Sequence, residues 1–158
     1  MRKLILASIV GAVFALPVGA EAGLILEGSV GKGATVSPET NAEPTNLMVA
    51  PGLSFPFIRL QLGLVADLPD VEARDFDIGL RPMLTINPPV LPLYGRLIFA
   101  FNNLLDSELR TIAYGGALGI ELGLPVLSLF AEVGVLPRSL NDEFWWVIEG
   151  RLGVSLGF

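Results

Sequence analysis

The chain has 158 residues, of which 52% are hydrophobic and 16% charged, and its formal net charge is −6. A chain of this size holds one domain, its composition excludes intrinsic disorder, and its acidic balance excludes nucleic acid as a natural partner. Because it contains neither Cys nor His, it lacks disulfides, thiolate metal sites and the commonest catalytic base. We therefore expect no enzymatic activity, no cofactor and no metal site.

Residues 1–22 have the three parts of a secretory signal peptide. A basic start at Met1-Arg2-Lys3 is followed by an apolar run from Leu4 to Leu16 and by Ala20-Glu21-Ala22, which fits the small-x-small cleavage rule. The apolar run is shorter than the roughly 20 residues that a membrane-spanning helix needs. We expect cleavage after residue 22 and export of residues 23–158 as a single domain.

After residue 22, eight segments place large apolar side chains at alternate positions, which is typical of β-strands with two different faces. The second segment, Leu47 to Phe55, is the weakest because Pro51 lies inside it. In chain order, the apolar faces of the other seven are Leu24, Leu26 and Val30; Ile58, Leu60, Leu62 and Leu64; Phe76, Ile78, Leu80, Leu84 and Ile86; Leu97, Phe99 and Phe101; Ile112, Tyr114, Leu118, Ile120 and Leu122; Leu127, Leu129, Val133 and Val135; and Ile148, Leu152, Val154, Leu156 and Phe158.

The opposite face of these segments is dominated by Gly, Ala and Ser with isolated charges, and Lys32 is the single lysine after residue 22. A soluble β-sandwich would need many more Lys, Glu, Thr and Asn side chains on its water-facing surface. Small residues suit a cramped interior, so we expect the aliphatic face to point into hydrocarbon. Since lipid offers backbone groups no partner, the sheet must close on itself. The pattern predicts an all-β fold, an eight-stranded antiparallel up-and-down transmembrane β-barrel over residues 23–158.

The same alternation turns nine charged side chains into the lumen. Near-equal numbers of acids and arginines indicate mutual pairing, because an isolated charge in a narrow interior would lose its hydration. An eight-stranded barrel is only just wide enough for its own side chains, which favours a network that plugs the lumen over a charged constriction that passes a small solute. The predicted lumen charge network is Glu27, Arg59, Asp77, Arg81, Arg96, Glu121, Glu132, Glu149 and Arg151.

The connections between segments alternate in length. Residues 34–45, 68–74, 103–110 and 137–143 form longer polar connections, whereas residues 56–57, 87–92 and 123–126 form shorter or Pro-rich ones. Outer-membrane barrels have long external loops and short periplasmic turns, so we expect both mature termini in the periplasm.

Proline and glycine predict local irregularities in the sheet. Pro51 and Pro82 lie inside predicted strands, where we expect bulges or locally shortened pairing because Pro cannot donate to a ladder. Glycines such as Gly119 and Gly153 are expected to let the narrow sheet curve and to keep the lumen from overfilling.

The eight alternating segments and the C-terminal pattern Leu152-x-Val154-x-Leu156-x-Phe158 resemble the small outer-membrane barrels of the OmpA, OmpX and OmpW type. The resemblance implies a Gram-negative-type outer membrane. It also implies that Leu152, Val154, Leu156 and Phe158 form the signal by which the barrel assembly machinery recognises its clients. It implies no particular activity.

Three functions are consistent with this sequence. The first is a monomeric, non-catalytic barrel with a plugged lumen and a structural or surface-exposed role in the bacterial outer membrane, in contact with membrane lipid and lipopolysaccharide. The second is a narrow pore for a small solute or ligand. The third is a secreted lipocalin-like carrier, which would require the aliphatic face to point inward.

Among basic residues near the external rim, Lys32, Arg74, Arg110 and Arg138 are candidates to contact lipopolysaccharide phosphates.

Overall fold

The computed structural model describes residues 23–37, 40–68, 76–88, 91–105, 110–123, 126–140 and 143–158. The predicted signal peptide at residues 1–22 lies outside these described residues. Within the described ranges, no helix is long and apolar enough to span a membrane.

The described chain forms eight long β-strands and one two-residue strand. A single sheet has the order β2-β1-β3-β4-β5-β6-β7-β8-β9, every pairing is antiparallel, and β1 also pairs with β9. The eight-stranded antiparallel up-and-down barrel is therefore confirmed. The strands are β1 (Gly23–Ser37), β2 (Asn41–Ala42), β3 (Asn46–Ser54), β4 (Ile58–Asp67), β5 (Asp77–Ile86), β6 (Leu93–Asn102), β7 (Thr111–Gly123), β8 (Leu127–Leu140) and β9 (Glu143–Gly157).

The register around the barrel defines its tilt. A path that crosses each ladder between directly paired residues leaves β1 at Leu24 and returns to β1 at Ala34, an offset of ten residues (34 − 24). Such a stagger requires strands that tilt by roughly 35–45° to the barrel axis. The path runs through Leu24, Leu53, Leu60, Leu84, Leu97, Gly116, Val135, Ile148 and Ala34.

Three prolines inside strands coincide with gaps in one neighbouring ladder. Pro51, Pro82 and Pro137 each lie where that ladder skips two residue pairs and then resumes in the same register. The pairing is therefore locally shortened and not bulged, as expected of a residue without an N–H. The sequence pattern places residue 137 in a connection. This was wrong, because β8 continues to Leu140 and β9 begins at Glu143.

Each long strand turns one face outward and the other into the lumen. On the outer face, Leu24 and Leu152 are 62% exposed and Leu118 is 76% exposed, whereas the inward-facing Glu27 and Thr85 are fully buried. The expectation that the bulky aliphatic face lies on the outside is confirmed. We call the end of the barrel where β1 begins and β9 ends the terminal end, and the opposite end the far end.

The lumen also contains an apolar cluster that the alternation in the sequence does not predict. Large side chains such as Met48, Met83 and Ile98 point inward and are at most 5% exposed. A barrel has no core other than its lumen, so large inward side chains are needed to fill it. The cluster comprises Met48, Ala50, Val65, Met83, Ile98, Ala100, Ala113, Ala117, Leu136 and Val147.

Candidate functional site

The candidate site is a set of charged side chains that seven of the eight long strands direct into the lumen. The alternation of inward and outward residues selects them, and the tilt of the strands brings residues distant in sequence into contact. Eight side chains form one continuous series in which acids and arginines alternate, which we call the ion-pair chain. In order from the terminal end, its members are Glu121, Arg59, Glu27, Arg96, Glu132, Arg151, Glu149 and Arg81.

Arg96 lies at the centre of the ion-pair chain and is 2% exposed. Its Nη2 donates to both Glu27 carboxylate oxygens at 3.1 and 2.9 Å, its Nη1 lies 3.0 Å from Glu132 Oε2, and its Nε donates to Thr85 Oγ1 at 2.9 Å. A guanidinium is suited to this arrangement because its three nitrogens can contact different partners at once. Arg96 therefore neutralises two buried carboxylates at once.

Two aromatic rings complete the surroundings of Arg96. The guanidinium carbon lies 5.1 Å from the ring centroid of Tyr94 and 5.6 Å from that of Phe130, within the range of cation–π attraction. The two rings meet edge to face at 6.4 Å, and the Tyr94 hydroxyl donates to Glu132 Oε2 at 2.8 Å. Tyr94 thus binds both an arginine and a carboxylate of the ion-pair chain.

Glycines opposite these rings provide the space that the rings occupy. A Cβ on Gly119, which pairs with Tyr94 across the β6–β7 ladder, would lie 2.3 Å from the Tyr94 ring. A Cβ on Gly153, opposite Phe130, would lie 2.6 Å from that ring. The expectation that these glycines prevent overfilling of the lumen agrees with this geometry.

The second half of the ion-pair chain is built around Glu149. Arg81 Nη1 donates to both Glu149 oxygens at 2.9 Å, and Arg151 Nη2 donates to the same carboxylate. Arg151 also donates from Nη2 to Asn46 Oδ1 at 2.6 Å and from Nη1 to Ser29 Oγ at 3.0 Å. These contacts join the far half of the lumen to the centre.

Gly31 makes room for the contact between Glu149 and Arg151. A Cβ at this position would lie 2.7 Å from Glu149 Oε1 and 2.8 Å from Arg151 Nη2. The absence of a side chain on Gly31 is therefore a requirement of the ion-pair chain.

The terminal end of the ion-pair chain reaches a cavity of about 410 Å³. Arg59 Nη1 donates to Glu121 Oε2 at 2.6 Å and also lies 3.8 Å from Glu27 Oε1. Ser128 and Asn87 donate to the Glu121 carboxylate as well. The Arg59 and Glu121 side chains are 17% and 14% exposed, so this pair is more hydrated than those deeper in the lumen.

A separate ion pair near the far end was not predicted. Arg138 Nη2 donates to Glu43 Oε1 at 2.8 Å, and the Thr35 hydroxyl donates to the same oxygen. This contact fastens the segment after β2 to the wall formed by β8. Sequence reasoning missed it because residues 43 and 138 were both assigned to connections, to which alternation does not apply.

Asp77 is the one predicted network residue that lies apart from the ion-pair chain. It is the first residue of β5, at the far end, and its Oδ1 accepts the backbone N–H of Ile78 at 2.7 Å and of Leu105 at 3.2 Å. The alternation of residues in β5 places Asp77 on the inward face. Because Asp77 lies at the end of the strand, its partners are backbone N–H groups and not an arginine. The other eight predicted residues are brought together.

The chemistry that this arrangement supports is charge neutralisation. Six members of the ion-pair chain, all except Arg59 and Glu121, are at least nine-tenths buried. Among the described residues, no group of three or more His, Cys, Asp or Glu side chains is placed to hold a metal ion. The four arginines and four glutamates sum to zero charge, and each carboxylate has an arginine partner.

The C-terminal pattern lies on the outer face at the terminal end. Leu152 and Phe158 are 62% and 73% exposed, and Val154 is also exposed, whereas Leu156 is half-buried. The backbone of Phe158 exchanges two hydrogen bonds with Leu24, at 2.8 and 3.0 Å. The beginning of β1 and the end of the described chain therefore lie side by side.

No protein-family model and no curated protein sequence matches this chain. Among solved structures, the chain is similar to Neisserial surface protein A, with a TM-score of 0.59 and 14% sequence identity. The match covers 87% of this chain and 99% of that chain. A likeness at this identity shows a common fold, and the resemblance stated from the sequence is confirmed at that level: the chain is a closed eight-stranded barrel of the outer-membrane type.

Proposed function

We propose that this protein is a non-catalytic integral outer-membrane barrel whose lumen is plugged by the ion-pair chain, with a structural or surface-exposed role in the envelope. The observation that carries the proposal is the reversed distribution of polarity: aliphatic side chains face outward while charges pair inside. A water-soluble protein would have the opposite distribution.

The closed backbone supports a membrane setting. Because β1 pairs with β9, the eight long strands leave no open edge through the middle of the barrel. Lipid cannot hydrogen-bond to backbone groups, so a sheet that spans hydrocarbon must be closed in this way. The lipocalin-like alternative requires an apolar lumen along its whole length, and the central ion-pair chain argues against it.

The pairing of the lumen charges supports a plug. A conducting constriction presents charged groups to a hydrated path, whereas the central members of the ion-pair chain are buried against one another. The tilted network also links seven strands, so its opening would require several ion pairs to break together.

The orientation and partners follow by analogy with the outer-membrane fold. We place both termini in the periplasm and the far end outside the cell, in keeping with three of the four connections at that end, which are longer than any at the terminal end. We propose a monomer that contacts outer-membrane lipid and lipopolysaccharide, with the residues Leu152, Val154, Leu156 and Phe158 recognised by the barrel assembly machinery during insertion.

Membrane fractionation followed by a detergent gel tests the location and the closed sheet. We expect the protein in the outer-membrane fraction, with unboiled and boiled samples migrating differently because the closed barrel resists unfolding by detergent. Recovery from the periplasmic supernatant without such a shift would contradict the proposal.

Planar bilayer recordings test the plug. We expect no conductance steps from the wild-type protein, and steps from a triple variant in which Glu27, Arg96 and Glu132 are replaced by Ala. Leu97→Ala, on the outer face of the same strand as Arg96, is the matched control and should remain silent. Steps from the wild-type protein that change on Glu132→Gln would favour the narrow pore instead.

A further inference from the structure

Lys32 is the only charged side chain on the outward-facing positions of the strands that the structure describes. Most other outward positions carry an aliphatic or aromatic residue, Gly or Pro, and none that is described carries a charge. Lys32 is exposed, and among the described residues it makes no ion pair. A lone ammonium on a surface that faces hydrocarbon is unfavourable unless it has a partner.

Lys32 also does not lie at the edge of the apolar surface. Beyond it toward the far end, β1 continues with Ala34 and with Val36, which is 44% exposed, and the adjoining β9 carries the equally exposed Trp146. Apolar surface therefore flanks Lys32 on both sides, but Ala34 and Val36 are the last outward positions before β1 ends at Ser37. The long Lys32 side chain can extend past them to the membrane interface.

Lys32 lies at one end of a groove of about 650 Å³ on the outer face of the barrel. The floor of the groove contains the small residues Ala131 and Gly150, and its wall includes Leu118, which is 76% exposed. The opposite end is at Leu93. The lining also includes the buried Glu132 and Arg151, which pair within the lumen. On the outward side the groove thus has an apolar body and one basic side chain, Lys32, at one end.

The register gives the direction and length of the groove. It crosses five neighbouring strands from β1 through β9, β8 and β7 to β6, which is four steps of about 4.8 Å, or about 19 Å. Lys32 is the tenth residue of β1, whereas Leu93 is the first residue of β6, so the groove descends from Lys32 toward the terminal end. One leaflet of a bilayer has about half of the roughly 30 Å hydrocarbon thickness, so the groove is long enough for one acyl chain.

The other basic residues named for lipid contact are otherwise engaged or not described. Arg138 turns into the lumen and pairs with Glu43, and Arg110 donates to the Leu104 carbonyl oxygen at 3.3 Å. Arg74 lies outside the described residues. Of the four basic residues expected to contact a phosphate, Lys32 is therefore the one that is both described and not engaged by another group.

We propose that the outer groove binds one acyl chain of lipopolysaccharide, with a lipid A phosphate on the Lys32 ammonium. The inference rests on the proposed membrane function, because it places the far end, and with it the Lys32 end of the groove, in the external leaflet. A phosphate supplies the negative counter-charge that the Lys32 ammonium lacks, and the acyl chain covers the small residues of the floor.

Native mass spectrometry of the detergent-refolded protein with added diphosphoryl lipid A tests this binding. We expect the wild-type protein to retain one lipid A molecule, Lys32→Gln to weaken retention at least tenfold, and Lys32→Arg to restore it. Gly150→Leu should also abolish retention by filling the groove, and a Cβ at position 150 meets no close neighbour. Gly28→Leu is the matched control, since Gly28 is an outward glycine outside the groove with similar space, and it should bind as the wild type does.

Three results would overturn the inference. Retention that is unchanged in Lys32→Gln and Gly150→Leu would show that the groove is not the site. Equal retention of dephosphorylated lipid A would remove the phosphate contact, and equal retention of phosphatidylglycerol would remove the assignment to lipopolysaccharide. All variants are first checked for heat-modifiable migration: a wild-type protein without this shift contradicts the proposed function as well, whereas a shifted barrel with any of the three results contradicts this inference alone.

Discussion

At the scale of single residues, Arg96 shows how much the lumen depends on pairing. Its guanidinium lies between Glu27 and Glu132, both of which are at most 6% exposed. Removal of one partner from a buried ion pair leaves an uncompensated charge and typically costs about 3–5 kcal/mol. The same residue is therefore a sensitive test of whether the ion-pair chain stabilises the barrel.

We expect Arg96→Met to lower the free energy of unfolding by about 3–5 kcal/mol, because two buried carboxylates lose their shared counter-charge. Arg59→Met is the control. Arg59 is 17% exposed beside the terminal cavity, so water can compensate Glu121 and the loss should be smaller. Urea unfolding of the refolded barrel, followed by tryptophan fluorescence, measures both. Equal losses for the two variants would contradict a central role for Arg96.

The space above Gly119 gives a second prediction. Gly119→Ala places a methyl group 2.3 Å from the Tyr94 ring, so we expect a loss of about 1–3 kcal/mol from overpacking. In a Tyr94→Ala background the ring is gone, and the same change should have little further effect. A double-mutant cycle from unfolding free energies measures the difference, and additive losses would show that the ring does not cause the strain.

The sequence predicted which charged residues point into the lumen, but not which residues they pair with. Alternation assigns Arg81 and Glu149 to the lumen, yet they are 68 positions apart and meet at 2.9 Å only because the tilted strands wrap round the barrel. A pattern of period two contains no information about which strands face each other across the lumen. It also does not indicate that Asp77, at a strand end, finds backbone partners.

At the scale of strands, the prolines explain where the predicted elements and the structure differ. Alternation located all eight long strands, but Pro137 was interpreted as a strand end. The structure accommodates it because the β7–β8 ladder skips two pairs at that point while the β8–β9 ladder continues. The sequence does not show which of the two ladders beside a proline can be interrupted while the other continues. The ends of β8 and β9 therefore could not be predicted.

The gap beside Pro82 predicts a difference between two proline substitutions. Pro82→Ala should change the free energy of unfolding by at most about 1 kcal/mol, since the β5–β6 ladder is already interrupted there and no ladder bond uses an N–H of residue 82. Leu84→Pro, two positions along the same outward face, lies where both neighbouring ladders are continuous. It should cost about 1–3 kcal/mol by leaving a backbone group unsatisfied. Similar unfolding midpoints in urea for Leu84→Pro and the wild type would contradict this account.

The apolar cluster in the lumen shows another limit of the strand pattern. Met83 and Ile98 lie on the inward face, yet their neighbours on the outward face are also apolar. Where both faces of a strand are hydrophobic, alternate positions do not differ in polarity. The sequence therefore could not distinguish inward apolar residues from outward ones. The charges stood out because nothing similar, apart from Lys32, occurs on the outward face.

At the scale of the whole molecule, the C-terminal residue separates stability from assembly. The Phe158 side chain is 73% exposed on the outer face, while its backbone pairs with Leu24. We expect Phe158→Ala to change the unfolding free energy of the refolded barrel by at most about 0.5 kcal/mol, as for most surface substitutions. In cells, the same variant should reduce the heat-modifiable fraction in the outer membrane, because the assembly signal is weakened.

Phe57→Ala is the matched control for Phe158→Ala, since Phe57 is an exposed aromatic residue near the same end of the barrel and lies outside the C-terminal pattern. It should leave the assembled fraction unchanged. A loss of assembly for both variants would indicate that any aromatic residue at this end suffices, and no loss for either would remove the proposed signal.

The β1–β9 ladder also sets the order in which the protein can be completed. β1, the first described strand, must find one of its two neighbours in β9, the last described strand, along a ladder from Ile25–Gly157 to Ser37–Trp146. Until β9 pairs with β1, both edges of the forming sheet are unpaired and able to bind foreign strands. A prematurely terminated copy can never hide them, so the geometry of closure itself distinguishes finished molecules from fragments and leaves the fragments open to proteolysis.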